Sequence, residues 1–192
     1  MTFKHVFRGF FFVLFFLFNV NCNAEALLKP WNIDAKNSYI NFSIIQDKSP
    51  ITGTFKSFTG EINADPDRLN DSHIKIIVDM NSVSTSFKEV AINLKTPDWF
   101  DVKIFPNAIF TSTKLTKTGA KSYQAKGTLT VRDKTIPVVL NFVLENYSPT
   151  EALVKGSGIV KRTALGLAKG EWAKTDSLKD DVTVDFALSV KR

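Results

Sequence analysis

The chain has 192 residues, of which 44% are hydrophobic and 23% charged, with a formal net charge of +6 and one cysteine. This length corresponds to one domain with a sizeable core, and the composition excludes an intrinsically disordered chain. One cysteine and two histidines exclude an intramolecular disulfide and a histidine-rich or thiolate metal site.

The first 24 residues have the pattern of a secretory signal peptide. Lys4 and Arg8 form a short basic head, residues 9–18 are an uncharged apolar run, and small residues stand at Cys22 and Ala24. The apolar run is shorter than the roughly 20 residues that a membrane-spanning helix needs. We therefore predict cleavage after Ala24, export across a membrane, and a mature domain of residues 25–192.

Cleavage leaves a chain with little excess charge and few chemically active side chains. Removing Lys4 and Arg8 lowers the net charge from +6 to +4, which is too small to indicate a nucleic-acid partner. His73 is the one histidine that remains, and it opens an alternating strand. An exposed histidine at a strand start is favoured there over the base of a Ser-His-Asp triad.

Strands are predicted almost throughout the mature chain. Apolar and polar residues alternate in several segments, most clearly over 182–191, which is typical of half-buried antiparallel strands. Phe55 and Phe58 are an odd number of residues apart, so both face inward only if the strand bulges near Ser57. Eight strands are predicted, at 31–46, 51–64, 73–81, 107–116, 122–132, 135–146, 152–163 and 180–191.

The connection over residues 82–106 is too long for a hairpin turn. Residues 89–94 can form one or two helical turns, and the following Pro97–Asp101 segment is rich in aromatic residues. Such an insertion must bury its large side chains, either as a plug at one end of a barrel or as a gate over a ligand cavity. Because Trp99 and Phe100 are adjacent, we expect one ring at the barrel mouth and the other against the helical turn.

A set of short motifs resembles the YceI family along essentially the whole mature chain. No single motif is diagnostic, but their order and spacing are specific. Ala164-Leu165 and Asp133 depart from the family pattern, the first near a candidate polar contact at Gly166 and the second in a hairpin turn. The matching motifs are GTFKSFTG at 53–60, Asp65-Pro66 with Arg68-Leu69, DWFD at 98–101, FPNAIF at 105–110, GTLTVR at 127–132, Pro137-Val138, Gly166-Leu167 and GEW at 170–172.

The resemblance implies an all-β fold, a single eight-stranded antiparallel lipocalin-like β-barrel with a short helical insertion in the 82–106 connection. It further implies a periplasmic, non-catalytic protein that holds an isoprenoid lipid, either a polyprenyl or a quinone-like chain, for carriage or sequestration. Inward glycines such as Gly127, Gly156 and Gly158 leave empty volume unless a neighbour fills it. The side chains predicted to contact the lipid are Phe42, Ile44, Phe55, Phe58, Ile76, Val78, Met80, Trp99, Phe100, Phe110, Leu129, Leu140, Phe142, Val184 and Phe186.

Two other functions stay open at this point. One is an exported interaction module with a packed barrel that acts through loops such as 82–106 or 164–180. The other is an enzyme that uses the same cavity, with Asp98, Asp101 or Glu171 as acid or base, although these residues have no recognisable catalytic spacing. We predict no metal and no cofactor. Transient contact with a membrane, or with a membrane-embedded redox or lipid-handling protein, and homodimerisation are both compatible with this interpretation.

Overall fold

The computed structural model describes residues 28–192, so the predicted signal peptide and its cleavage point lie outside the described residues. Eleven strands of this part form one antiparallel sheet. It also contains an α-helix, α1 (Lys88–Leu94), and 3-10 turns at Ala35–Asn37, Met80–Ser82 and Gly170–Ala173. The strands are β1 (Asn32–Ile33), β2 (Tyr39–Gln46), β3 (Ser49–Phe55), β4 (Phe58–Asn63), β5 (His73–Asp79), β6 (Val83–Thr85), β7 (Asn107–Lys117), β8 (Ser122–Val131), β9 (Lys134–Tyr147), β10 (Glu151–Lys161) and β11 (Leu178–Lys191).

The predicted fold class is confirmed, and each of the eight predicted strands is present. The count rises to eleven because two of those segments are interrupted and the 82–106 insertion adds β6. The first interruption follows Asp34, whose carboxylate accepts a hydrogen bond from the backbone N–H of Lys36 (3.3 Å) and caps the 3-10 turn between β1 and β2.

The second interruption lies at Lys56-Ser57, where the sequence predicts a bulge. The backbone N–H of Lys56 donates to the carbonyl of Ser82 (3.3 Å), and that of Asp79 donates to the carbonyl of Ser57 (3.0 Å). These two bonds join the break between β3 and β4 to the break between β5 and β6. Phe55 and Phe58 consequently both pack against the buried core, as predicted.

The sheet curls so that β1, which pairs with β11, approaches β4. The hydrogen-bonded order is β4-β5-β7-β8-β9-β10-β11-β2-β3-β6, and β1 pairs with β11. Trp31, just before β1, reaches β4 through two bonds: its backbone N–H donates to the Ile62 carbonyl (2.8 Å), and its indole N–H donates to the Ala64 carbonyl (2.9 Å). The Trp31–Ile62 bridge therefore joins the β11–β1 side of the sheet to β4.

The insertion contains the predicted helical turns as α1. Leu94 at its end is buried, and its carbonyl accepts a hydrogen bond from the backbone N–H of Phe100 (3.0 Å). The Phe100 ring lies 6.1 Å from the ring of Phe55, which places the insertion against β3. Within residues 28–192, no helix combines the length and hydrophobicity needed to cross a membrane.

Candidate functional site: an apolar cavity inside the sheet

The concave face of the sheet encloses a cavity of about 310 Å³. Leu, Ile, Val, Ala and aromatic side chains from nearly every strand line it, because residues of one parity along each strand face inward. Its volume lies at the lower end of the range of about 300–1,000 Å³ typical of small-molecule sites. Dry apolar space of this kind accepts apolar ligands, because water in it has no polar partners.

Fourteen of the fifteen residues predicted to contact a lipid line this cavity. The exception is Phe58, which packs against the core cluster next to the Lys56-Ser57 break without reaching the cavity surface. The fourteen are Phe42, Ile44, Phe55, Ile76, Val78, Met80, Trp99, Phe100, Phe110, Leu129, Leu140, Phe142, Val184 and Phe186. Their contact with a ligand stays a prediction.

The inward glycines do not leave open space, because large side chains from neighbouring strands cover them: aromatic rings at Gly127 and Gly156, and Leu140 at Gly158. A Cβ built on Gly156 would lie 2.6 Å from the Phe186 ring and 2.6 Å from the Cβ of Phe142, and one built on Gly127 would lie 2.8 Å from the Phe110 ring. Phe186 and Phe142 are the direct cross-strand partners of Gly156. The glycines thus let large rings lie flat against the sheet, and those rings form part of the cavity wall.

The insertion closes one end of the cavity. Trp99 and Phe100 both line the cavity, so the expectation that their rings diverge is wrong. Alternation does not apply to them because they lie in a folded turn: the Trp99 N–H donates to the Thr96 carbonyl (3.0 Å), and the Phe100 N–H donates to the Leu94 carbonyl. This position agrees with both the plug and the gate interpretation.

Arg132 holds the turn that carries Trp99. Its Nη1 donates to the carbonyls of Pro97 (3.0 Å) and Trp99 (2.9 Å), and its guanidinium lies 5.8 Å from the Phe105 ring centre. A second hydrogen bond to this turn comes from the 162–177 loop, where the backbone N–H of Ala168 donates to the Asp98 carbonyl (3.0 Å). The sequence places Arg132 in a family motif but gives no sign of these contacts.

Two charged residues of the described chain line the cavity, at opposite ends. Asp65 follows β4 near the Trp31–Ile62 bridge, and Arg162 follows the last residue of β10. Arg162 is not among the residues predicted from the sequence, although it continues the inward parity of Ala152, Val154 and Val160 along β10. That parity is the signal that could have identified it.

The carboxylates considered for catalysis lie outside the cavity wall. Asp98 and Glu171 are exposed, Asp101 is partly exposed, and none of the three lines the cavity. His73 is exposed at the start of β5, as predicted. Among residues 28–192 there is no group of three or more His, Cys, Asp or Glu side chains that could hold a metal ion.

Comparison with known proteins agrees with the motifs and the fold. The family model for the YceI-like domain matches residues 31–190. The chain belongs to the YceI family. Among curated relatives, a UPF0312 protein of Photorhabdus laumondii is 32% identical over 121 residues, which is 62% of this chain and 62% of the relative, less than two thirds of its length. A UPF0312 protein of Pseudomonas putida is 28% identical over 157 residues, 80% of this chain and 79% of the relative.

Solved structures show the same YceI-type architecture. BcnA of Burkholderia cenocepacia superposes with a TM-score of 0.77 and 26% identity, covering 82% of this chain and 98% of BcnA. A polyisoprenoid binding domain from Saccharophagus degradans, implicated in plant cell wall breakdown, superposes with a TM-score of 0.68 over 86% of this chain and 99% of that domain. Its 17% identity supports likeness of fold.

Proposed function

We propose that this protein is an exported, non-catalytic binding protein that holds an apolar isoprenoid lipid in the sheet interior for carriage or sequestration. The observation that supports this proposal most strongly is the apolar cavity of about 310 Å³ inside the sheet. The polyisoprenoid binding domain of S. degradans, which shares the fold, supports the choice of ligand. Periplasmic location rests on the signal-peptide pattern of residues 1–24.

Burial of a prenyl chain alone supplies the binding energy. Each methylene transferred from water contributes about 0.8 kcal/mol. Association costs on the order of 4–15 kcal/mol in lost freedom, so a chain of several prenyl units has a net gain. A catalytic group is not needed, and the exposure of Asp98 and Glu171 supports a binding role over an enzymatic one.

Extraction of lipid from matched variants tests this function. Leu140 lines the cavity and Asn141 is exposed on the other face of β9. The protein is purified from its own host, extracted with organic solvent, and analysed by mass spectrometry of the lipid fraction. We expect an isoprenoid in wild type and in Asn141→Trp, and little in Leu140→Trp, whose indole fills the cavity. Equal recovery from both variants would contradict an interior site.

The exposed apolar residues of the insertion support transient contact with a membrane, where such a ligand resides. Phe87, Ile92 and Ile104 are 63%, 55% and 68% exposed. Exposed large apolar side chains close together along one segment are typical of interaction surfaces. Co-sedimentation with anionic liposomes should fall in Ile104→Ser and stay unchanged in Ile159→Ser, a control that is 59% exposed on β10.

A further inference from the structure

Arg162 is the one charged residue that is fully buried in the described part of the chain. It is 1% exposed, and burial lowers the pKa of its guanidinium. Arginine nevertheless stays protonated in proteins, so a positive charge lies at the cavity end where β10 stops. A buried charge is costly unless hydrogen bonds and an opposite charge compensate it.

Hydrogen bonds compensate only part of that charge. Nε donates to the Lys179 carbonyl (2.9 Å), and Nη2 donates to the carbonyls of Lys174 (2.8 Å) and Leu178 (2.7 Å). Nη1 is buried and has no hydrogen-bond partner among residues 28–192. The cost of a buried, unsatisfied donor is about 1–3 kcal/mol, and it is larger for a charged group.

No carboxylate of the described residues forms an ion pair with Arg162. Asp180 is near enough to act on the Arg162 charge electrostatically, but it forms no hydrogen bond with the guanidinium, and its Oδ1 accepts from the backbone N–H of Thr163 (2.9 Å). Arg162 also lines the cavity, where the surrounding wall is apolar and includes Val160, Leu165 and Leu167. The guanidinium thus has one buried donor nitrogen without a hydrogen-bond partner among the described residues, on a side chain that lines the cavity.

We propose that Nη1 of Arg162 binds the carboxylate of an acidic isoprenoid whose chain fills the cavity, so that the ligand enters with its acidic end at the β10 end. This rests on the proposed function and adds the chemistry of the ligand's polar end. A carboxylate supplies the missing acceptor and, because it is charged, forms a stronger hydrogen bond with a guanidinium than a neutral oxygen does. A diphosphate carries more negative charge than one free donor nitrogen compensates.

Binding of defined probes tests the assignment. The probes are geranylgeranoic acid, its methyl ester and geranylgeranyl diphosphate, measured by displacement of a fluorescent lipid from the mature wild-type protein. A charge-assisted hydrogen bond corresponds to a preference of about tenfold or more for the acid over the ester. Arg162→Met should abolish this preference while still binding the ester. Lys161→Met is the matched control, because Lys161 is the exposed neighbour that pairs with Asp181, and it should keep the preference.

The pKa of the bound acid is a second readout. It would not be lowered if Arg162 had only a structural role. With the carboxyl carbon labelled with ¹³C, we expect the pKa of the bound acid in wild type to lie below that of the same acid in detergent micelles. Should Arg162→Met fail to fold, this titration and the wild-type preference decide the question alone.

Different failures have different meanings. If wild type binds acid and ester equally, or prefers the diphosphate, the assignment of Arg162 is overturned and isoprenoid binding stands. Acid and ester would bind equally, for example, if a water molecule were the acceptor for Nη1 and the ligand gained no hydrogen bond from Arg162. If no probe displaces the fluorescent lipid from any variant, the proposed isoprenoid function fails as well.

Discussion

The ring of Phe42 occupies the space that a side chain on Gly53 would need. The two residues are direct cross-strand partners on β2 and β3, and a Cβ built on Gly53 would also lie 2.9 Å from the Ser84 carbonyl oxygen. They belong to a row of opposed residues that crosses five strands, namely Leu140, Gly158, Val184, Phe42 and Gly53. Each glycine of this row lies beside a larger side chain that fills its space, Leu140 at Gly158 and Phe42 at Gly53.

This relationship predicts that Gly53→Ala destabilises the fold. The new methyl group would force Phe42 from its position against backbone that cannot move freely, at a cost of about 1–3 kcal/mol, the range for an overpacked core. Chemical denaturation measures the loss. Gly119→Ala is the control, because Gly119 lies in the β7–β8 turn and its nearest neighbour is the Ser122 side chain at 3.3 Å. Equal losses would show that the Phe42 ring yields without strain.

The two faces of the sheet should respond differently to carboxylates. Leu140 and Val184 line the cavity, whereas Asn141 and Asp185 are exposed. Leu140→Asp and Val184→Asp place an uncompensated carboxylate in apolar surroundings and should lower stability by about 3 kcal/mol or more. Asn141→Asp and Asp185→Asn should change stability by about 0.5 kcal/mol or less. Thermal denaturation distinguishes the pairs, and similar melting temperatures for all four would show that the faces are misassigned.

The contacts of Arg132 predict that Arg132→Ala frees the turn that carries Trp99. Two hydrogen bonds to the Pro97 and Trp99 carbonyls are lost, each with a net value of about 0.5–3 kcal/mol. If the insertion is a gate, release of a bound fluorescent lipid should accelerate in Arg132→Ala and in Trp99→Ala. Lys134→Ala, at an exposed site in the same hairpin, should release lipid at the wild-type rate.

The same variants separate the gate from the plug. A plug that only stabilises would lower the melting temperature in Trp99→Ala and Arg132→Ala, with release from the folded fraction unchanged. That result would leave the insertion a structural closure, without a role in ligand exchange.

The predicted signal peptide has its own test. Residues 1–24 should be absent from the exported protein, which should begin at Glu25. Intact-mass measurement of the protein from its own host checks this directly. A chain that keeps residues 1–24 would contradict cleavage and favour a membrane-anchored form.

Alternation along the strands made most of the cavity wall predictable. In β11, Val184 and Phe186 alternate with Thr183 and Asp185, and a side-chain period of two fixes which residues face inward. The Lys56-Ser57 break was also predictable, because Phe55 and Phe58 could not otherwise share a face. Periodicity carries such information only within regular strands.

The closed end of the cavity was less predictable because its contacts join distant segments through irregular backbone. Arg132 bonds to carbonyls of the 97–99 turn, and Arg162 bonds to carbonyls at 174, 178 and 179. Carbonyl positions in loops depend on the folded path of the chain and leave no pattern in side-chain types. The adjacent residues Trp99 and Phe100 share the cavity for the same reason, since the turn does not follow strand alternation.

Native mass spectrometry of the wild-type protein, purified by gentle extraction from its own host, tests lipid carriage in the sheet interior. We expect a folded protein with one retained mass that dissociates on activation and matches an isoprenoid lipid. A bare protein mass under conditions that preserve the fold and non-covalent contacts would contradict it and favour a sheet interior without a lipid-carrying role.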